Sequence, residues 1–110
     1  MTEISFYLDG EDRIFGFECE GHAGFAKFGK DIVCSAVSAL TITTINSMDT
    51  LLEASCELIS DEKRGYIDFR VNNYESESVQ LLFKSYKLGL EEIERNYKKN
   101  VKLTNRRCKP

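Results

Sequence analysis

One stretch of helical period, IVCSAVSALTI starting at Ile32, constrains this chain most, because it is apolar or small on nearly every side. Such a helix cannot lie on a surface with a broad face to water; it calls for cover from a sheet and from something else. The flanking sequence can supply both. Ile4, Phe6 and Leu8 alternate with Ser5, Tyr7 and Asp9, the period of a half-buried strand. Asp9-Gly10 then reads as a hairpin turn. A second strand is expected over residues 13–20, with Phe15, Phe17 and Cys19 on one face and Cys19 as a small core residue. The helix is expected over residues 32–57, followed by a short strand over 57–60 and a polar turn over 61–65. Ile67, Phe69 and Val71 alternate with Tyr66, Asp68 and Arg70 in a further strand. Over residues 75–99, Val79, Leu82, Phe83, Tyr86, Leu90, Ile93 and Tyr97 form one stripe at helical spacing. Leu81 and Leu88 fall off it, which fits a subunit contact or simply isolated exposed leucines. Val101 to Leu103 can add a last strand. The order ββαββαβ implies an α+β fold, a mostly antiparallel sheet with two helices packed on it.

Size and charge narrow the function classes. A chain of 110 residues reads as a single domain, residues 1–110, with 42% hydrophobic and 30% charged residues, the balance of an ordinary globular protein. No apolar run approaches the roughly 20 residues of a membrane span, and the start MTEISFYLDG has neither the basic nor the apolar segment of a secretory leader. A cytoplasmic protein with no membrane partner is expected. Four cysteines without a C-x-x-C pair then point to reduced thiols. Net charge is −3, but residues 98–110 hold six of the 15 basic residues and no acidic one. That tail is either a solvated extension beyond a helix C-terminus or a surface that steers a charged partner.

The segment GHAGFAKFGKD, residues 21–31, has no apolar periodicity, carries three glycines and holds the chain's one histidine. A connection this long is often functional. Three chemistries compete for it. Residues 24–30, GFAKFGK, match the G-x-x-x-x-G-K half of a phosphate-binding loop, but Asp31 then places a negative charge where a Ser or Thr hydroxyl is needed. Cys19 and His22 are spaced like half a zinc site that Cys34 and Cys56 could complete, although the close cysteine pairs of structural zinc sites are missing. The third is nucleophilic catalysis. With Asp31 as N-cap, Cys34 is the third helical residue, beside the unpaired amides and positive dipole end of the helix, a setting that favours thiolate. The same amides could stabilise an oxyanion, and His22 is the only imidazole that could serve as base. Ser38 lies one turn after Cys34, either orienting a reacting group or permitting close helix packing. A structural role for both His22 and Cys34 stands beside these.

Gly21-His22-Ala23-Gly24, then Gly29, then Asp31-Ile32-Val33-Cys34, and Ser38 after a small-residue run, resemble the bacterial ribosomal-processing cysteine proteases. The resemblance implies Cys34 as nucleophile and His22 as its partner, with Asp31 and Ser38 assisting. It further implies that Gly21, Ala23, Gly24, Phe25, Phe28 and Gly29 belong to a segment that gates substrate entry. Its implied substrate is the N-terminal peptide of a ribosomal protein precursor, that of large-subunit protein twenty-seven, and its implied assembly is a homodimer. That extension ends in aromatic residues, so Phe25 and Phe28 either line an apolar pocket or hold the loop closed. Neither a cofactor, a metal nor a nucleic-acid partner follows from it. The rival is a non-enzymatic module that binds ribosomal protein or RNA through the basic tail; it predicts that Cys34→Ala is harmless while loss of residues 98–110 is not.

Overall fold

Alternating apolar side chains pair the first two strands, β1 (Thr2–Leu8) and β2 (Ile14–Glu20), in an antiparallel hairpin. The computed structural model describes residues 1–21 and 32–110. Beyond the hairpin come helix α1 (Ile32–Asn46) with a π-helical turn at Ser47–Leu51, strands β3 (Cys56–Asp61) and β4 (Tyr66–Val71), helix α2 (Glu77–Asn96) and strand β5 (Val101–Arg107). The sheet runs β3-β4-β2-β1-β5, antiparallel except where β5 lies parallel to β1. This is the expected ββαββαβ arrangement.

Ile4, Phe6, Phe17, Phe69 and Val101 meet the helices on one face of the sheet, and α2 covers them with Val79, Phe83, Tyr86 and Leu90, all buried. Phe17 is the hub. Its ring lies 4.6 Å from Tyr86, 5.4 Å from Phe69 and 6.3 Å from Phe83. Ser76 caps α2, its hydroxyl accepting from the Val79 amide at 3.2 Å, so the helix begins at Glu77, two residues later than the expected residue 75. On the opposite face Tyr7 donates to Asp68 (2.9 Å) between the guanidinium groups of Arg70 and Arg106.

Several expectations are corrected. The hairpin is not a two-residue Asp9-Gly10 turn but a five-residue loop built on the Asp9 carboxylate. Asp9 is 5% exposed and accepts from the amides of Glu11 (2.8 Å) and Arg13 (2.9 Å), the Arg13 guanidinium (3.1 Å) and the Tyr74 hydroxyl (2.9 Å). A register shift follows, in which Tyr7 faces Gly16 and Leu8 faces Ile14. The bulge stacks Phe15 on Tyr7, 5.6 Å away, instead of leaving it on the Phe17 and Cys19 face. Gly16 sits where β2 meets β4, and a Cβ there would run into the Phe69 carbonyl oxygen and crowd Tyr7 at 3.1 Å. Gly16→Ala is expected to cost about 1–3 kcal/mol as an overpacking change, read as a lower urea midpoint with an unaltered slope. An unchanged midpoint would contradict the tight approach.

Helix α1 also departs from expectation. It does not reach residue 57, because Thr, Asn, Ser and Asp crowd residues 43–50 and such side chains compete for the backbone. The chain leaves through Glu53 at φ 48° and enters β3 at Cys56. Nor is α1 buried on most sides: Val33, Val37, Thr41 and Thr44 face inward while Ile32 and Ile42 are more than half exposed. Together with its π-helical turn, residues 32–51 form a helix long and apolar enough by length and composition to cross a membrane, contrary to the expectation of no such run. Here it packs on the sheet beside α2, where Leu40 closes against Gly89.

The basic C-terminus is largely exposed, as expected of a solvated segment, but it is a strand and not a loose extension. β5 extends to Arg107, well past Leu103, and Arg106 pairs with Glu18 at 3.3 Å while Arg107 bonds the Asp9 carbonyl and Asp12. These partners hold two of the cations that a nucleic-acid surface would need.

Asp9 gives the fold an acid limit. Burial alone would raise its carboxyl, but the amides of Arg13 and Glu11, then the Tyr74 and Arg13 side chains, bring it down to about 2 from 3.8. A depressed carboxyl stabilises above its unfolded value and loses that contribution as pH falls through about 2. Wild-type Tm is therefore expected to fall between pH 4 and pH 2. Asp9→Asn should melt lower at pH 7 with a flatter slope in that window; equal slopes would remove Asp9 as the cause.

Candidate active site

Helix α1 positions the candidate nucleophile. The described part of α1 begins at Ile32, so Cys34 is its third residue, half-buried, with Ser38 exposed one turn later. Both line a cavity of about 450 Å³ between the flank of α1 and the β3–β4 end of the sheet. That end is open because α2 covers the sheet's other strands, leaving Leu58 half exposed. From α1 the walls are Cys34, Val37, Ser38, Thr41, Ile42 and Ile45, and from the sheet Cys19, Leu58, Ser60 and Ile67. The helical spacing from Cys34 through Ser38 to Thr41, Ile42 and Ile45 is what a helical-wheel projection from Cys34 would have found. The strand residues carry no such signal, since they meet α1 only through the fold. Ser38 is exposed and lines the cavity.

The floor of the cavity is polar but satisfied. Thr41 Oγ1 and the Tyr86 hydroxyl share a hydrogen bond at 2.7 Å, and Cys19 Sγ approaches the same hydroxyl at 3.4 Å. Burial pushes the Cys19 thiol up to about 11, against the pull of Tyr86 and Thr41. At neutral pH Cys19 is therefore protonated, an inert core thiol, as expected from its strand position. Asp61 and Glu62 stand at the outer rim beside Tyr66. Asp61 accepts from the Lys63 amide at 3.0 Å and so shapes the β3–β4 turn.

Gly21 closes β2 with φ +83° against the start of β1, where a Cβ would meet the Met1 carbonyl oxygen at 2.6 Å, and it too lines the cavity. His22, Ala23, Gly24, Phe25, Phe28, Gly29 and Asp31 lie outside the described residues. The phosphate-loop fragment falls there as well. Among the described residues, no three His, Cys, Asp or Glu side chains gather as a metal site, and the four cysteines are not joined by disulfides.

A half-buried thiol near the described start of α1, on the wall of a largely apolar cavity, is an arrangement that a thiol-dependent hydrolase can use. The family model of Cysteine protease Prp matches residues 1–102, and the chain belongs to that family. It is 35% identical over 108 residues to the ribosomal processing cysteine protease Prp of Bacillus subtilis, covering 94% of this chain and 96% of the relative. The protein of the same description in Staphylococcus aureus is 24% identical, with 94% and 97% covered. Among solved structures, the S. aureus protease Prp with a covalently linked product peptide shares the fold at TM-score 0.90 and 24% identity, over 96% of this chain and all of that one. SMU.848 from Streptococcus mutans superimposes at TM-score 0.86 with 29% identity, over 98% of this chain and 99% of its own.

Proposed function

We propose that this chain is a cysteine endopeptidase that removes the N-terminal extension from the precursor of large-subunit ribosomal protein twenty-seven, with Cys34 as nucleophile and His22 as its proton-transfer partner. The observation that carries the reading is the place of Cys34, near the described start of α1 and on the wall of a cavity of about 450 Å³. The relatives' description as ribosomal processing proteases supports the substrate class, as do the S. aureus complexes with a substrate peptide and with a covalently linked product peptide.

In this reading the Cys34 thiolate attacks the scissile carbonyl carbon, and the C=O electron pair moves to oxygen, where the amides of the first turn of α1 stabilise it. The intermediate collapses as the C–N bond breaks, and His22 delivers to the leaving amine the proton it took from the thiol. A water deprotonated by His22 then attacks the thioester, releasing the new C-terminal carboxylate and returning the proton to sulfur. Asp31 caps the helix and orients the imidazole; Ser38 positions the acyl group. The enzyme acts in the cytoplasm on a nascent ribosomal protein, as a homodimer of single-domain chains that needs no cofactor.

The test is cleavage of a peptide spanning the extension junction, read by mass spectrometry. Wild type is expected to cut at one bond and Cys34→Ala and His22→Ala to leave the peptide whole. A folded wild type that leaves it whole, or a Cys34→Ala protein that cuts equally well, would overturn the reading.

A further inference from the structure

Among the described residues β3 is an outer strand of the sheet, and it borders the Cys34 cavity. Its register with β4 pairs Glu57 with Arg70, Leu58 with Phe69, Ile59 with Asp68 and Ser60 with Ile67. One step before the strand, the Asn72 amide donates to the Ser55 carbonyl at 2.8 Å, which makes the Ser55 and Asn72 pair a bonded one. Bonded and non-bonded pairs alternate in an antiparallel ladder, so Glu57, Ile59 and Asp61 spend their main-chain groups on β4. Leu58 and Ser60 then point theirs outward, and both line the cavity with Cys34, Asp61 standing at its rim. Edges are commonly blunted by proline, lysine or a bulge. β3 has none of these, and Leu58 and Ile59 are 52% and 65% exposed.

Charge selects the occupant. Residues 53–62 hold Glu53, Glu57, Asp61 and Glu62 and no basic residue. A second copy pairing through this edge would set these acids against their own equivalents, which is destabilising. An extended basic peptide would meet them with opposite charge.

From this geometry we infer that the substrate docks by adding a strand to the outer edge of β3, through the main chain of Leu58 and Ser60, with its basic residues beside Glu57, Asp61 and Glu62. Residues on one side of the scissile bond pair with β3 while the bond itself reaches Cys34 along the cavity. Main-chain pairing supplies affinity with little demand on sequence, and alternate side chains entering the apolar cavity supply selectivity. The inference rests on the protease reading of the cavity.

The experiment uses the junction peptide and two perturbations. Ser60→Pro removes an outward N–H that β4 does not use, a position where an edge strand tolerates proline. It is expected to raise KM at least tenfold with kcat within twofold and an unchanged far-UV circular dichroism spectrum. Independently, single N-methylation along the peptide is measured for binding to the folded Cys34→Ala protein. Losses of tenfold or more at every second amide of one segment are expected, since only alternate amides face β3. Binding that weakens without that two-residue period overturns strand addition, and this readout decides even where Ser60→Pro does not fold. Equal KM for folded Ser60→Pro overturns it as well. A drop from dimer to monomer in Ser60→Pro with KM unchanged would assign the edge to a second copy instead. Failure of wild type to cut any form of the peptide would count against the protease reading itself, an outcome distinct from cutting without main-chain pairing.

Discussion

Cys34→Ala is expected to lower kcat for the junction peptide by at least about a thousandfold while melting within a few degrees of the unaltered protein. The two halves of this result have separate causes. Removing a nucleophile forces water to attack an amide directly, without the thioester that divides the reaction into two easier steps. Stability is spared because Cys34 is half-buried at a cavity wall, where truncating one sulfur leaves no enclosed void. Cys108→Ala, at the far end of β5, is the matched control and is expected to cut normally. A Cys34→Ala protein that retains a tenth of the rate would place the chemistry elsewhere.

Phe17→Ala is expected to be the most damaging single change to the fold, at about 3–5 kcal/mol. The ring is fully buried and is shared by four others: Phe6, Phe69, Phe83 and Tyr86. No neighbour can close the hole, because Phe6 and Phe69 are fixed by ladder pairing and Phe83 and Tyr86 by α2. Whole-domain stability is typically only about 5–15 kcal/mol. At several degrees per kcal/mol for a domain of this size, Tm should fall by about 15–30 °C. A fall under about 5 °C in calorimetry would show that the sheet and α2 repack, and that the cluster is not the rigid centre it resembles.

Legibility varied with the kind of interaction. Strands with strict alternation, such as Ile67, Phe69 and Val71, were readable because period two is a local property, and so was the stripe from Val79 to Ile93. The helical period of the run from Ile32 was readable too, and it carries Cys34. What could not be read was decided by contacts distant in sequence. Phe15 changes face because Asp9 gathers Arg13 and Tyr74 and so lengthens the turn, and Tyr74 lies 65 residues away. Arg106 and Arg107 read as a solvated tail until β5 pairs with β1 and brings Glu18 and Asp12 within reach. The apolar breadth of α1 suggested burial all round; only the sheet's width leaves the β3–β4 end bare and turns one flank of α1 into a cavity wall.

The order of elements and the helical periods that build the core therefore follow from local sequence, since each depends on neighbours within a turn or two. Only the assembled fold brings Leu58, Ser60 and Ile67 to one cavity with Cys34 and, among the described residues, leaves β3 as an outer strand there. Strand order and helix placement follow from the joint burial of one core, and no local pattern carries that information.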